Sequence, residues 1–459
     1  LQTIQKKEPL FAADKLDSFK EEFELVSQAF QRFQDNQLVT DQGNESFKQA
    51  KAQLVTKLKE LNHKLNNYLA TKYGIDAKQK AKKYQAFMKS HQPFNWFAEF
   101  YQIVAANGGF DCIIGNPPYV EYSKIDYELL NYKTISCGNL YAFVMERSKS
   151  IMSSVGYNSM IVPLSGHSTN RMTDLTDHFY KKNGGYYLIN LSGDANPSKL
   201  FEGVKFRLAV FISSKQIKSN YTSKYERWYS EERVNLFNAL THFQKLKLSY
   251  STAIPKSPNE HYQNIILKIN SNKKSIYSQI GKNKVYYHNT PVNWIRSHSF
   301  VPYFKSERDG EKISSQMKVL KYEHQDLSKS ITCIIASSTF FLIWISNSDC
   351  YHLNKSEVLN FKFDNDKNSL SELVEIEKQL SKDLMSNSVR RVYNYRTSGR
   401  VEYDEYYMKK SKPVIDQIDT VLAKHYSFTE AELDFIINYD IKFRMGKALF
   451  KETDDSEQD

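Results

Sequence analysis

Cysteine is scarce here: Cys112, Cys137, Cys333 and Cys350 stand far apart in 459 residues, with no Cys-x-x-Cys pair. Neither a zinc site nor a disulfide framework is expected, and the usage fits a reducing cytoplasm. Long apolar runs are missing too. Nothing reaches the length of a bilayer span, and no signal-peptide pattern opens the chain. The eleven histidines form no ligand spacing, so no metal is expected. No Asp…Glu-x-Lys nuclease pattern falls in a convincing strand. Glycine is sparse at the start: Gly43 and Gly74 stand alone in residues 1–93, in helical surroundings. The first residue is Leu1 rather than methionine, which implies a piece of a longer polypeptide.

What is present points to a globular chain with a real core, since 41% of the residues are hydrophobic. A formal net charge of +11 suits a polyanionic partner such as double-stranded DNA, although charge alone fits any basic protein. No membrane partner is expected. Residues 1–93 read as a helical segment, with Phe47, Leu54, Leu58, Leu61 and Leu65 making one apolar stripe. The lysines around it (Lys51, Lys57, Lys59, Lys64) read as a solvated face.

Residues 94–214 alternate strands with helices. Strands are expected at 111–115, 159–163, 186–191 and 207–213, and helices at 140–153 and 171–182. Residues 215–369 are richer in Ser, Asn, Lys and Tyr, with strand-like runs at 284–287 and 331–335. Residues 370–459 read as helical, interrupted by a basic aromatic stretch at 390–407 and closed by an acidic tail at 452–459.

One loop carries specific chemistry. Residues 110–120 run Phe-Asp-Cys-Ile-Ile-Gly-Asn-Pro-Pro-Tyr-Val. A short apolar strand stops at Gly115, and the loop that follows sits where ligands bind in doubly wound sheets, at a carboxyl end. The Asn116 side-chain oxygen can accept one N–H of a planar amino group. The Pro117 carbonyl can accept the other, because Pro118 has no amide hydrogen and stiffens the turn. Tyr119 offers a face on which an extruded base can stack. The bland alternative is a turn that merely ends a strand.

This loop resembles the Asn-Pro-Pro-Tyr motif of gamma-type N6-adenine DNA methyltransferases. Gly138–Phe143 with Met145–Arg147, Tyr157–Ser165 and Leu200–Ala209 resemble the same group, while Ala336–Phe340 with Trp344 and Tyr351–Asn354, 402–413 and 432–440 resemble the large fused type II (type IIG) restriction–modification enzymes and the BREX-type phage-exclusion methylases. The resemblance implies an α/β fold: a partial Rossmann-like methyltransferase sheet, an N-terminal helical segment, and a C-terminal mixed α+β target-recognition domain. In those terms 94–214 is the C-terminal half of the catalytic domain, 215–369 the target-recognition domain and 370–459 a helical closing segment. It also implies S-adenosyl-L-methionine as cofactor and adenine N6 in DNA as target, with Phe201 or Phe206 as the wall opposite Tyr119. An ordinary core phenylalanine is the alternative for each. Lys409, Lys410 and Lys412 are candidates for phosphate contact, but a solvated charge run is the preferred reading.

The departure from the family matters as much. Its members hold the cofactor on a strand, a glycine-rich turn and a helix that precede the Asn116 loop, and residues 1–93 contain no such unit. The expectation is therefore a methyltransferase with an incomplete cofactor pocket, its missing cofactor-binding or nuclease segment lying upstream in the same polypeptide. Two alternatives stay open: a DNA-specificity module without activity of its own, or an amide methylase acting on protein.

Overall fold

The computed structural model describes residues 18–449, apart from 39–43, 183, 195–199, 202, 205, 240–241, 251–252, 279, 398 and 447. The acidic tail and Gly43 lie outside the described residues. The chain divides into two compact units. The first takes residues up to Val162 with Arg171–Tyr187 and Val210–Asn220; the second takes Pro163–Asn170, Leu188–Ala209 and Tyr221 onward.

The first unit opens with helices α1 (Lys20–Leu38), α2 (Asn44–Lys72), α3 (Ala81–His91) and α4 (Tyr101–Asn107). The expected stripe is the buried face of α2. Leu54, Leu61 and Leu65 pack with Phe23 and Val26 of α1 and with Phe97, Val104 and Ile151, while Phe47 meets Phe33 at 5.2 Å between ring centres. Lys51 and Lys59 are exposed, and Lys57 and Lys64 pair with Glu60 and Glu22, as a solvated face should. Strand β1 (Phe110–Gly115) follows, then α5 (Leu140–Ile151) and β2 (Met152–Pro163). The last of these is longer than the sequence suggests. β1 pairs parallel to β2, from Cys112 opposite Tyr157 to Gly115 opposite Met160.

Strands β3 (Gly185–Leu191), β4 (Leu208–Ser214), β5 (Asn220–Glu226) and β6 (Gln244–Lys245) complete a six-stranded sheet of order β1-β2-β4-β3-β5-β6. Residues 171–182 were expected to form one helix. A 3-10 turn, Asn170–Met172, leads into a helix that starts at Thr173–Leu175 and widens without a break into a π-helical turn, Thr176–Tyr180.

Beyond the sheet, the second unit contains α6 (Glu260–Asn270) and a three-stranded antiparallel sheet of β7 (Asn283–His288), β8 (Ser297–His298) and, on the far side of β7, a strand at Met317–Tyr322. Its core helices are α7 (Gln325–Ala336) and α8 (Ser338–Asn347), followed by α9 (Lys367–Ser386). The run 331–335, strand-like in sequence, is part of α7. An apolar segment buried on every side has no period that separates helix from strand. The basic aromatic stretch is an antiparallel hairpin, Val389–Tyr395 with Gly399–Glu405, in which Arg390 pairs with Asp404, Arg391 with Glu405 and Arg400 with Glu402. Helices α10 (Lys412–Tyr426) and α11 (Glu430–Asn438) follow. Among the described residues no single helix is long and apolar enough to cross a membrane. α7 and α8 pass that test only as a pair bent by 61°, and both are largely buried.

One buried carboxylate organises this core. The first amides of a helix have no partner inside it. Those of α8 find Asp419 of α10: Ser338 N donates to Oδ2 at 3.0 Å, and Thr339 N and Oγ1 donate to Oδ1 at 2.9 and 2.8 Å. Asp419→Ala strands those donors in the core and should destabilise the second unit by about 3 kcal/mol. Urea unfolding followed by tryptophan fluorescence measures this. A loss below about 1 kcal/mol would show the bonds to be incidental.

Candidate functional site

Asn116 follows the carboxyl end of β1, and the parallel register carries β2 alongside it, with Ile161 next after Met160. Asn116 and Pro118 are exposed, Pro117 is buried and Tyr119 is half-buried. The Tyr119 hydroxyl lies 3.0 Å from Asn116 Oδ1 and 3.0 Å from the Ile161 carbonyl. Its one proton serves a single acceptor at a time, so the hydroxyl either orients the Asn116 carboxamide or anchors the ring to β2. Burial pushes the Tyr119 phenol up, which keeps that proton in place. The ring meets the buried ring of Tyr141 edge-on, centres 6.2 Å apart. Asn116 is thus oriented from behind and open in front. Beside it, a cavity of about 400 Å³ is lined by Gly115, Pro118, Ile114, Leu140 and Phe143.

The loop is fastened at its far end as well. Leu140 N donates to the Val120 carbonyl and Tyr122 N to the Gly138 carbonyl, each at 2.9 Å. Glu121 receives Asn139 Nδ2 at 3.1 Å and Arg171 Nη1 at 3.2 Å, and a second guanidinium nitrogen of Arg171 pairs with its other oxygen. The Arg171 guanidinium holds the Glu121 carboxyl below the usual carboxylate range, helped by Asn139. Arg171 also donates to the Gly138 carbonyl at 2.9 Å. Gly138 has φ 61°, which favours glycine, and a Cβ there would lie 2.5 Å from that guanidinium, so a larger residue would have to displace Arg171.

Glu121, Asn139 and Arg171 escaped the sequence reading as members of the site. Arg171 in particular stood only at the start of an expected helix. The signal was faint: an acidic residue two places after the tyrosine, with its partners 18 and 50 residues further on.

The other candidates lie in the second unit. Phe201 is 46% exposed and Phe206 54% exposed, unlike core phenylalanines. Lys409 and Lys410 are exposed, with the Lys410 ammonium 5.6 Å from the Tyr407 ring centre. Lys412 is mostly covered and paired with Asp416 one helical turn on, which leaves it a poor phosphate contact. No group of His, Cys, Asp and Glu among the described residues is arranged to hold a metal ion.

Comparison with known proteins bears on the first part of the chain. No curated protein matches. Three solved structures show weak likeness. A nuclease-deletion mutant of the Type ISP restriction–modification enzyme LlaGI, in complex with a DNA substrate mimic, is 12% identical over 46% of this chain and 19% of that one, with a TM-score of 0.30. The ATP-dependent Type ISP enzyme LlaBIII bound to DNA is 9% identical over 64% and 32%, also at 0.30. A DrdV–DNA complex is 12% identical over 43% and 23%, at 0.24. This chain spans at most 32% of the length of these proteins, and scores this low carry no argument. The sequence match is more direct: residues 22–196, which contain the Asn116 loop and its Glu121–Arg171 clamp, match the family model of the Eco57I restriction-modification methylases.

Proposed function

We propose that this chain carries the base-capturing and DNA-binding part of a site-specific DNA adenine N6-methyltransferase of a restriction–modification or phage-defence system. The observation that supports this most is the exposed Asn116 carboxamide, oriented by the Tyr119 hydroxyl at the carboxyl end of β1. Asn116 Oδ1 and the Pro117 carbonyl accept the two hydrogens of an adenine amino group, drawing the nitrogen lone pair out of the ring plane. This is an effect of positioning and preorganised dipoles, and it needs no side chain of unusual acidity. Tyr119 stacks on the extruded base, which offsets part of an unstacking cost of a few kcal/mol. The net charge of +11, with Lys409 and Lys410 exposed, suits the phosphate backbone.

S-Adenosylmethionine is the methyl donor that the methylase match implies, but the described residues do not make a pocket for it. Such a pocket needs a strand, a glycine turn and a helix. Here Gly74 follows a helix, and β1 has β2 as its single partner among the described residues, with Ile114 of its edge strand 78% exposed. An apolar edge left open in this way favours a chain that completes its donor site with another segment. The transfer step itself is therefore not assigned to the residues of this chain.

Two measurements test this. In the gene expressed as it stands in its genome, Asn116→Ala should lower N6-methyladenine in host DNA at least 100-fold while DNA binding persists; undiminished methylation would refute the role of Asn116. Calorimetric titration of the purified chain with S-adenosylmethionine should give no saturable binding below about 1 mM. A micromolar dissociation constant would show that the donor pocket is complete.

A further inference from the structure

The second unit has a hollow of about 330 Å³ bounded by β7, by the chain leaving β8 and by the start of α7. Its walls carry Lys282 and Lys284, both exposed, and Lys329 of α7, together with Ser299, Gln325 and Ser328. No carboxylate is among them. Lys282 and Lys284 are two positions apart, so strand alternation sends both to one face. The antiparallel register then sets Lys321, on the strand Met317–Tyr322, directly opposite Lys284. Like charges facing across a strand pair cost stability, and a bound anion would relieve that cost.

The nearby acids do not cancel this charge. Glu377 of α9 is buried behind the walls, 4.0 Å from Lys329, and its Oε1 accepts the hydroxyls of Ser299 and Ser381. It neutralises Lys329 in part. Lys282 and Lys284 have no carboxylate partner among the described residues. Glu323 and Asp326 are exposed beside the start of α7 but are not among the walls. The Glu323 carbonyl accepts Asn283 Nδ2 at 2.7 Å, which fixes the backbone between the two lysines. The first turn of α7 has no side-chain cap, so its amides add a positive pole to the lysine charge.

A concave cationic site with an apolar flank suits a phosphate that carries a sugar. Phe300 and Val301 form that flank, and Val301 is 55% exposed. We propose that this hollow receives one phosphodiester of the DNA backbone. Lys282 and Lys284 are its cationic contacts, and Phe300 and Val301 lie against the adjoining deoxyribose. Contacts of this kind carry no sequence information; they set the register and orientation of the duplex. The inference rests on the reading of the chain as DNA-binding and adds a point at which the second unit fastens to the duplex.

The test uses the full chain and duplexes of unrelated sequence, with binding measured across a range of salt and no methyl donor present. Lys282→Gln combined with Lys284→Gln should weaken binding to every duplex alike. It should also make the slope of log K against log salt shallower by about 1. Lys282→Arg with Lys284→Arg keeps the charge and should leave the slope as in wild type, which controls for folding. Lys273→Gln with Lys274→Gln removes the same charge from another exposed part of the unit and should leave the slope close to wild type. An unchanged slope in the Lys282/Lys284 glutamine variant overturns the proposal, as does an equal change in the Lys273/Lys274 control. An unchanged slope together with loss of inorganic phosphate binding would mark a site for free phosphate instead. Wild-type protein that binds no duplex would overturn the DNA-binding reading and this inference together. Undiminished methylation by Asn116→Ala would count against the role of Asn116 and leave this readout untouched.

Discussion

The parallel pairing of β1 with β2 is the constraint on which the candidate site depends. With Gly115 opposite Met160, the next carbonyl of β2 belongs to Ile161, and that oxygen anchors the Tyr119 hydroxyl. A slip of one residue would turn every side chain of the strand to the opposite face, and the carbonyl with it. Register, a property of the backbone, thus decides where a side-chain amide points. The two prolines after Asn116 then limit how far the loop can drift, because both have φ fixed by their rings.

A second layer of order comes from the ion pair behind the loop. Arg171 touches both oxygens of Glu121 and the Gly138 carbonyl, joining the two ends of the segment between them. Both partners are partly exposed, so the pair is worth little as an isolated contact. Its significance is geometric: one planar guanidinium, with several donors in a fixed fork, sets two strands of chain at once. A lysine could satisfy the charge but not the shape.

Much of this was legible in the sequence, and the reasons differ by element. The stripe from Phe47 to Leu65 announced α2 because helical periodicity survives wherever one face stays wet. The Asn116 loop could be read because prolines and an aromatic ring restrict both backbone and chemistry within four residues. The helical state of 331–335 was not legible, since α7 is covered on nearly all sides. The Glu121–Arg171 clamp and the bonds from the buried Lys256 to the carbonyls of Ser346 and Ser348 were hidden for another reason. They join residues 50 and about 90 positions apart, and no local pattern reports such a meeting.

The outward side of β1 has a practical consequence. A strand edge with free backbone donors and acceptors is a template for any chain that meets it, and an uncovered isoleucine adds an adhesive spot. No proline interrupts Phe110–Gly115, and its single charge, Asp111, lies near the start of the strand. Among the described residues this rim is therefore open to strand pairing with another chain.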